Sequence, residues 1–435
     1  MNSTTPKKVL IISYYWPPSG GAGVQRWLKL SKYLQEMGIE VQVLTVDEKV
    51  ASYTHLDTSL VKDVHPDIKI HTTNSFEINN IYGRLVGKKN IPTAGFSNVD
   101  NSSFLQKIVN AIRSNFFIPD PRVGWKRYAV KAAKQILKDE SIDTIITTSP
   151  PHSVQMIGRE LKRKLNINWI VDLRDPWTDI YYYSLLGHTK FSKKIDKTYE
   201  RTVLEEADHI VTVSYGFREL FLTKSERLTK NKFSVVYNGY DKSDFLKKAV
   251  IEKNEKFTIS YIGTMSDQYD PSIIFKALLE LNRQHPNKII LKFIGSVSNN
   301  IRKELTESAL DVEFIGHVPH AEVSYYQQTA DLLLLLVPEA PNNKGIVPGK
   351  VFEYLASGSR ILGLGPTDGD ISKILKECNA GAIFSRKEEG GILNFISEAF
   401  GMYNSGEKNE LNTAEVEKYS RIAQARTIYK LIQST

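Results

Sequence analysis

KVLIISYYWPPSGGAGVQRWLKLSKYLQEMGIEVQVLTV, residues 8–46, is the stretch whose reading decides the fold. The apolar run Val9–Ile12 breaks at Ser13 and enters a turn rich in proline and glycine. Val24, Trp27, Leu28, Leu30, Leu34 and Met37 then recur at helical spacing over 23–37. A second apolar run, Glu40–Val46, follows. Strand, glycine turn, helix and strand in that order, with strands apolar almost throughout, predict parallel strands covered by helices on both faces. Lys7 and Lys8 ahead of an apolar run resemble the start of a signal peptide. The break at Ser13, the sequence Trp16-Pro17-Pro18 and the lack of a small-residue cleavage site make it a first strand instead.

Working outward, the same rhythm runs along the chain. Further strands are expected at 144–148, 169–173, 209–213 and 233–237, with helices over 127–138 and 154–165. The charged segment 241–256 has little apolar periodicity and reads as a linker. The pattern then restarts, with strands at 257–262, 289–294, 312–315, 332–337, 360–364 and 381–384. Residues 413–433 read as one long helix with no strand after it. The expectation is two tandem doubly wound α/β domains, 1–240 and 257–412. Residues 48–103, polar and holding Gly, Pro and Asn, read as an insertion or long loop.

Composition narrows the function classes. The longest apolar run, Leu332–Val337, is far short of the roughly 18–20 residues that span a bilayer. The single cysteine, Cys378, excludes an internal disulfide and any cysteine metal cluster, and a reducing cytoplasm fits. The net charge of +8 is uneven: residues 1–250 carry +11 and the remainder −3. Residues 101–138 hold eight basic side chains and interleaved aromatics, which suit an anionic membrane face, or a solvated helix over core aromatics. No nucleic-acid motif accompanies them.

In such sheets ligands bind beyond the carboxyl ends of the strands, where the connections reverse direction. After the first strand, Gly20-Gly21-Ala22-Gly23 opens a helix, either as an anion site or as a turn that needs glycine. It is not the dinucleotide fingerprint, because Arg26 stands where the third glycine belongs. His152 follows the strand ending at Thr148, and Asp172, Arg174 and Asp175 end the next. Charges there are either paired for structure or used. In the second half Gly263 and Thr264 end the first strand. The loop Pro338–Pro348, with Gly345, leads through Gly349 to Lys350-Val351-Phe352-Glu353. Helix amides and the Lys350 ammonium suit a diphosphate, and the Glu353 carboxylate suits ribose hydroxyls; the bland alternative is a first-turn acid on the helix dipole.

Asn238-Gly239-Tyr240-Asp241, Gly20-Gly21 and KVFEYLASG (350–358), in this order and context, resemble the retaining family-4 glycosyltransferases of the GT-B fold. That resemblance implies two domains facing across a cleft, a UDP- or GDP-sugar held by the second, a glycan or lipid-linked acceptor by the first, and the final helix, 413–435, crossing back to pack on the first domain. It implies no cofactor or metal. Glu353 would then hold the ribose, Gly20 and Gly21 would line the sugar–acceptor contact, and His152 would lie near the transferred sugar. The family commonly has a second glutamate eight positions before Glu353, where this chain has Gly345. The usual Arg and Lys after Gly263 are replaced by TMSDQYD (264–270). Lys350 is the substitute cation, with Arg174 as helper. The competing readings are a sugar-nucleotide epimerase and a silent glycan- or partner-binding relative.

Overall fold

Runs apolar on both faces build two sheets whose strands all run parallel. The computed structural model describes residues 6–53, 55–77, 114–245 and 254–434. In the first sheet the strands are β1 (Lys8–Ile12), β2 (Glu40–Val46), β3 (Lys69–Thr73), β4 (Thr144–Ser149), β5 (Asn168–Leu173), β6 (His209–Thr212) and β7 (Phe233–Val235). They lie in the order β3-β2-β1-β4-β5-β6-β7. The second sheet is built of β8 (Phe257–Ile262), β9 (Ile289–Ile294), β10 (Val312–Gly316), β11 (Leu332–Leu336), β12 (Arg360–Leu364) and β13 (Gly381–Phe384), ordered β10-β9-β8-β11-β12-β13. Each therefore reverses direction once, between β1 and β4 and between β8 and β11, and sites are expected beyond those strand ends.

Two compact units result: Met1–Tyr237 together with Gln424–Thr435, and Asn238–Ala423. In the first core, Val9 and Ile11 of β1 meet Trp27, Leu28 and Leu34 of helix Ala22–Glu36. Ala425, Ile428 and Ile432 of helix Arg421–Ser434 share that core at 0% exposure. Each large aliphatic residue so buried contributes about 1.5–3 kcal/mol. The second core packs β8, β9 and β11 against Leu278 and Leu281 of helix Ser272–Gln284 and Ile392 and Ile396 of helix Glu389–Ser405.

Three features differ from the sequence reading. β3 lies inside the segment read as a loop; it is an edge strand with Ile70 42% exposed, so it lacks the apolar signature of its neighbours. The final helix is two, Thr413–Glu417 and Arg421–Ser434. Between them Ser420 forms a parallel bridge with Tyr240, whose N–H donates to Tyr419 O (3.1 Å) and whose carbonyl accepts from Arg421 N (2.8 Å). This pairing also moves Asn238–Tyr240 into the second unit, and Gly239, at φ +67°, lets the strand approach. Residues 246–253 of the expected linker fall outside the described residues.

The basic segment is only partly a surface. Lys107, Arg113 and Phe104 lie outside the described residues. Trp125 is wholly buried, donating to Thr73 Oγ1 at 2.7 Å, and Arg122 is buried beside Tyr14 and Tyr15. Arg127, Lys131 and Lys138 project from helix Lys126–Asp139 into solvent. No described helix is long and apolar enough to cross a membrane.

Candidate functional site

In the first unit the turn after β1 is strapped down by the segment 55–57. Gly20 N–H donates to His55 O (3.0 Å), Asp57 N–H donates to Pro18 O (2.8 Å), and Ser19 bridges Leu56. A Cβ on Gly20 would lie 2.3 Å from Cδ2 of the exposed His55 ring and 3.0 Å from Asp57 Cβ, so a larger residue there would have to displace the strap. Its amide is committed to the strap and is not the free anion donor that the sequence offered. Gly21, at φ +102°, turns the chain into helix Ala22–Glu36, which has no side-chain cap.

Arg174 is wedged between this turn and β4. Its Nε and Nη2 donate to Ser149 O (3.0 Å) and Pro150 O (3.1 Å), and its Nη1 would meet a Cβ on Gly23 at 2.4 Å. Burial lowers its pKa while Asp175 and Asp172 oppose the shift; a guanidinium stays charged regardless. Burial raises the Asp175 carboxyl, with Arg174 opposing. His152 stands at the head of helix Ser153–Lys164, stacked on Trp177 with ring centres 4.5 Å apart and planes 12° apart. Among the described residues its buried Nδ1 has no hydrogen-bond partner. Burial, then the Arg174 charge, push its pKa down to about 3, so the imidazole is neutral at physiological pH. It can hydrogen-bond a hydroxyl but is a poor general acid.

Asp172 is a correction. It is 0% exposed, and its carboxylate accepts from Arg26 Nη2 (2.8 Å), Trp27 Nε1 (2.7 Å) and Thr148 Oγ1 (2.8 Å). Arg26 also donates to Tyr237 O at 2.9 Å. The residue standing in place of the third fingerprint glycine thus ties helix Ala22–Glu36 to β5, and Asp172 serves this interior network rather than a substrate.

In the second unit three strands end in left-handed glycines: Gly263 (φ +118°), Gly295 (φ +124°) and Gly316 (φ +78°). A Cβ on Gly295 would press within 2.4 Å of Gly263 O. Lys350, first residue of helix Lys350–Ser357, sends Nζ to Ile262 O (2.9 Å) and lies 4.1 Å above the Tyr261 ring. A Cβ on Gly263 would meet that nitrogen at 3.2 Å, so the ammonium sits beside the strand-end turn that lacks the Arg and Lys expected after Gly263. Burial lowers its pKa to about 8, against the pull of Glu353. Ile262 N–H donates to Tyr354 OH (3.2 Å), so the helix grips both polar groups of the last residue of β8.

Glu353 is half-buried, and its Oε2 accepts from Gln327 Nε2 at 2.9 Å. Gln327, 1% exposed, was not singled out from the sequence. Thr264 is exposed, but its carbonyl accepts from Tyr261 OH (2.9 Å). Gly345 is buried in the turn Asn343–Gly345, and Gly349 precedes the helix beside Asn238, whose Nδ2 would lie 3.8 Å from a Cβ there. The structure thus joins Gly263, Lys350 and Glu353 in one unit, and Gly23, Arg174, His152 and Trp177 in the other. Among the described residues no three His, Cys, Asp or Glu side chains form a metal-binding group.

Residues 92–244 match the family model described as Glycosyltransferase Family 4. A Bacillus subtilis strain 168 protein named as a teichuronic acid biosynthesis glycosyltransferase, TuaH, is 24% identical over 183 residues, 40% of this chain and 45% of that protein. The chain thus matches less than half the length of this curated relative. Two solved structures are similar over nearly the whole chain. Anabaena HepE in complex with UDP has a TM-score of 0.62 at 13% identity, covering 98% of this chain and all of that one. A mutant of S. aureus TarM in complex with Fondaparinux, alpha-GlcNAc-glycerol and UDP has a TM-score of 0.61 at 11% identity, covering 98% and 99%. At such identities the likeness is one of fold, and the fold is GT-B. Residues 92–244 are thus similar to the Glycosyltransferase Family 4 proteins, and the chain as a whole shares the GT-B fold.

Proposed function

We propose that this GT-B protein is a glycosyltransferase that moves a sugar from a nucleoside-diphosphate donor to a growing cell-surface glycan or its lipid-linked precursor. The observation that carries the reading is the Lys350 ammonium, held beside the Gly263 turn at the head of a helix whose first turn also holds Glu353. A helix N-terminus and a buried cation together favour a diphosphate. Glu353, its side chain steadied by Gln327, takes the ribose hydroxyls. The structures of HepE with UDP and with UDP-glucose support a uridine donor, with GDP-sugars the other choice.

In the first unit His152 acts as a neutral hydrogen-bonding group on the transferred sugar, Gly21 lines the approach of the acceptor, and Arg174 and Asp175 border it. No cofactor takes part. The reaction proceeds without a metal, the charge on the departing diphosphate being met by Lys350 and helix amides. Retention of configuration is carried by the family resemblance. The protein works at the cytoplasmic face of the membrane. There Arg127, Lys131 and Lys138 of helix Lys126–Asp139 meet anionic headgroups, each contributing about 1 kcal/mol.

Calorimetric titration with UDP, GDP, ADP and NAD⁺ tests the core of this reading. Binding of one nucleoside diphosphate supports it and selects the donor for assays. Binding of NAD⁺ alone, or of none of the four, defeats it.

A further inference from the structure

The His152–Trp177 stack is the visible end of a longer chain of contacts. The Trp177 indole Nε1–H donates to Asp196 Oδ1 at 2.8 Å, and the other oxygen, Oδ2, accepts from the Tyr183 hydroxyl at 2.7 Å. Asp196 is 1% exposed, on helix Lys190–Glu206. One turn further on, Glu200 accepts from Thr178 Oγ1 at 2.5 Å and pairs with Lys224 at 3.1 Å. The loop that follows β5 is therefore fastened to this helix at two points through two buried carboxylates.

Burying a carboxylate without a cation costs more than packing an apolar side chain of similar size. Asp196 has no cationic partner at either oxygen among the described residues, only two neutral donors. The pair it fixes includes Trp177, the ring that lies flat on His152 among the described residues. An N–H at the buried Nδ1 of His152 would be an orphaned donor, a rarer and costlier state than a bare lone pair. The imidazole proton therefore belongs on Nε2, and the stack fixes the plane in which that N–H points.

We propose that Asp196 is a positioning residue. By anchoring the Trp177 indole it fixes the plane and tautomer of His152, and through them the hydrogen bond that His152 offers the transferred sugar. This rests on the reading of His152 given above. Asp196 itself is held largely protonated up to about pH 6, by burial first, with Asp120 adding to the shift and the Tyr183 and Trp177 hydrogen bonds opposing it. His188, stacked on Tyr183 at 4.9 Å, Glu200 with its partner Lys224, Asp179 near Tyr183, Lys193 near His188 and Arg174 beside His152 are further titratable or charged groups around this network.

The test combines ¹⁵N-histidine NMR with steady-state rates on the donor chosen by the titrations. In the unaltered protein the His152 signals, assigned by their loss in His152→Gln, should report one neutral Nε2–H tautomer, constant from pH 5.5 to 8. Asp196→Asn and Trp177→Leu should convert them to a tautomer mixture. Both should lower kcat by about tenfold to a hundredfold, the scale of a misplaced catalytic contact, with donor KM unchanged. Trp177→Phe, which keeps a ring for the stack, should recover part of the loss. Tyr183→Phe is the control for mere destabilisation, removing a hydrogen bond from the same carboxylate while leaving the His152 signals in place.

Unchanged His152 signals in Asp196→Asn overturn the proposal. So does an altered His152 with unchanged kcat where His152→Gln is itself slow. If His152→Gln is as fast as the unaltered protein, the reading of His152 fails first and the proposal falls with it.

Discussion

Replacing Lys350 by methionine keeps the aliphatic stem over Tyr261 and deletes the ammonium that meets Ile262 O and borders Gly263. A hydrogen bond to a charged group contributes about 1.5–3 kcal/mol, so UDP should bind about 10- to 150-fold more weakly. The pH dependence is the sharper signature. Burial holds the free-protein pKa at about 8. A bound diphosphate favours the ammonium and returns the group toward its ordinary value of roughly 10.4. UDP affinity should therefore fall about tenfold between pH 7 and 9, where the diphosphate no longer titrates, and the fall should vanish in Lys350→Met. Without ligand the sign reverses. The unfolded chain holds more protons on Lys350 than the folded one between pH 8 and its ordinary pKa, so the contribution of Lys350 to stability rises with pH across that window. Calorimetry at pH 7, 8 and 9 on both proteins reads the first effect. Equal affinities at pH 7, or the same decline in the variant, would refute the placement of the diphosphate at Lys350.

Glu353→Ala should weaken UDP binding and slow turnover together, since the Gln327-held carboxylate is assigned to the ribose; unchanged kinetics would exclude that assignment. Arg26→Met removes the cationic partner of the buried Asp172 carboxylate and leaves it only the neutral donors Trp27 and Thr148. It should cost the first unit about 3–5 kcal/mol in denaturant unfolding, and a loss below 1 kcal/mol would deny the pair its structural role. Because His152 stays neutral down to about pH 3, the kcat/KM profile between pH 5 and 8 should carry no histidine inflection; one near pH 6.5 that disappears in His152→Gln would contradict this. Lys131→Glu with Lys138→Glu should abolish sedimentation with anionic vesicles at low salt, whereas undiminished binding would move the docking face elsewhere.

What could be read in advance follows from how far each interaction reaches along the chain. Leu332–Leu336 announces a strand buried on both faces, because each of its five residues is apolar for the same reason. β3 does not, since an edge strand needs no second apolar face and spells KIHTT. The glycine turns and KVFEYLASG were legible because a strand end entering a helix is a local event. Asp172 was not, because its meaning depends on Arg26, 146 positions earlier, a distance at which no spacing rule operates. Asp196 was silent for the same reason. Nothing in KFSKKIDK distinguishes its aspartate from a solvated helix acid until Trp177 and Tyr183 turn toward it.

The closing helix also sets a timetable for biosynthesis. Ile428 and Ile432 lie in the core of the first unit, yet the ribosome reaches them only after the intervening segment Asn238–Ala423 has been made. At bacterial-scale elongation rates that interval is about 10–40 s. Throughout it the nascent first sheet stands with an uncovered apolar groove, and the later unit receives its last residue, Ala423, before Ile428 and Ile432 are made. The earlier-born unit is therefore the later to mature, and the growing chain is most exposed to chaperone capture or to wrong partners in that window.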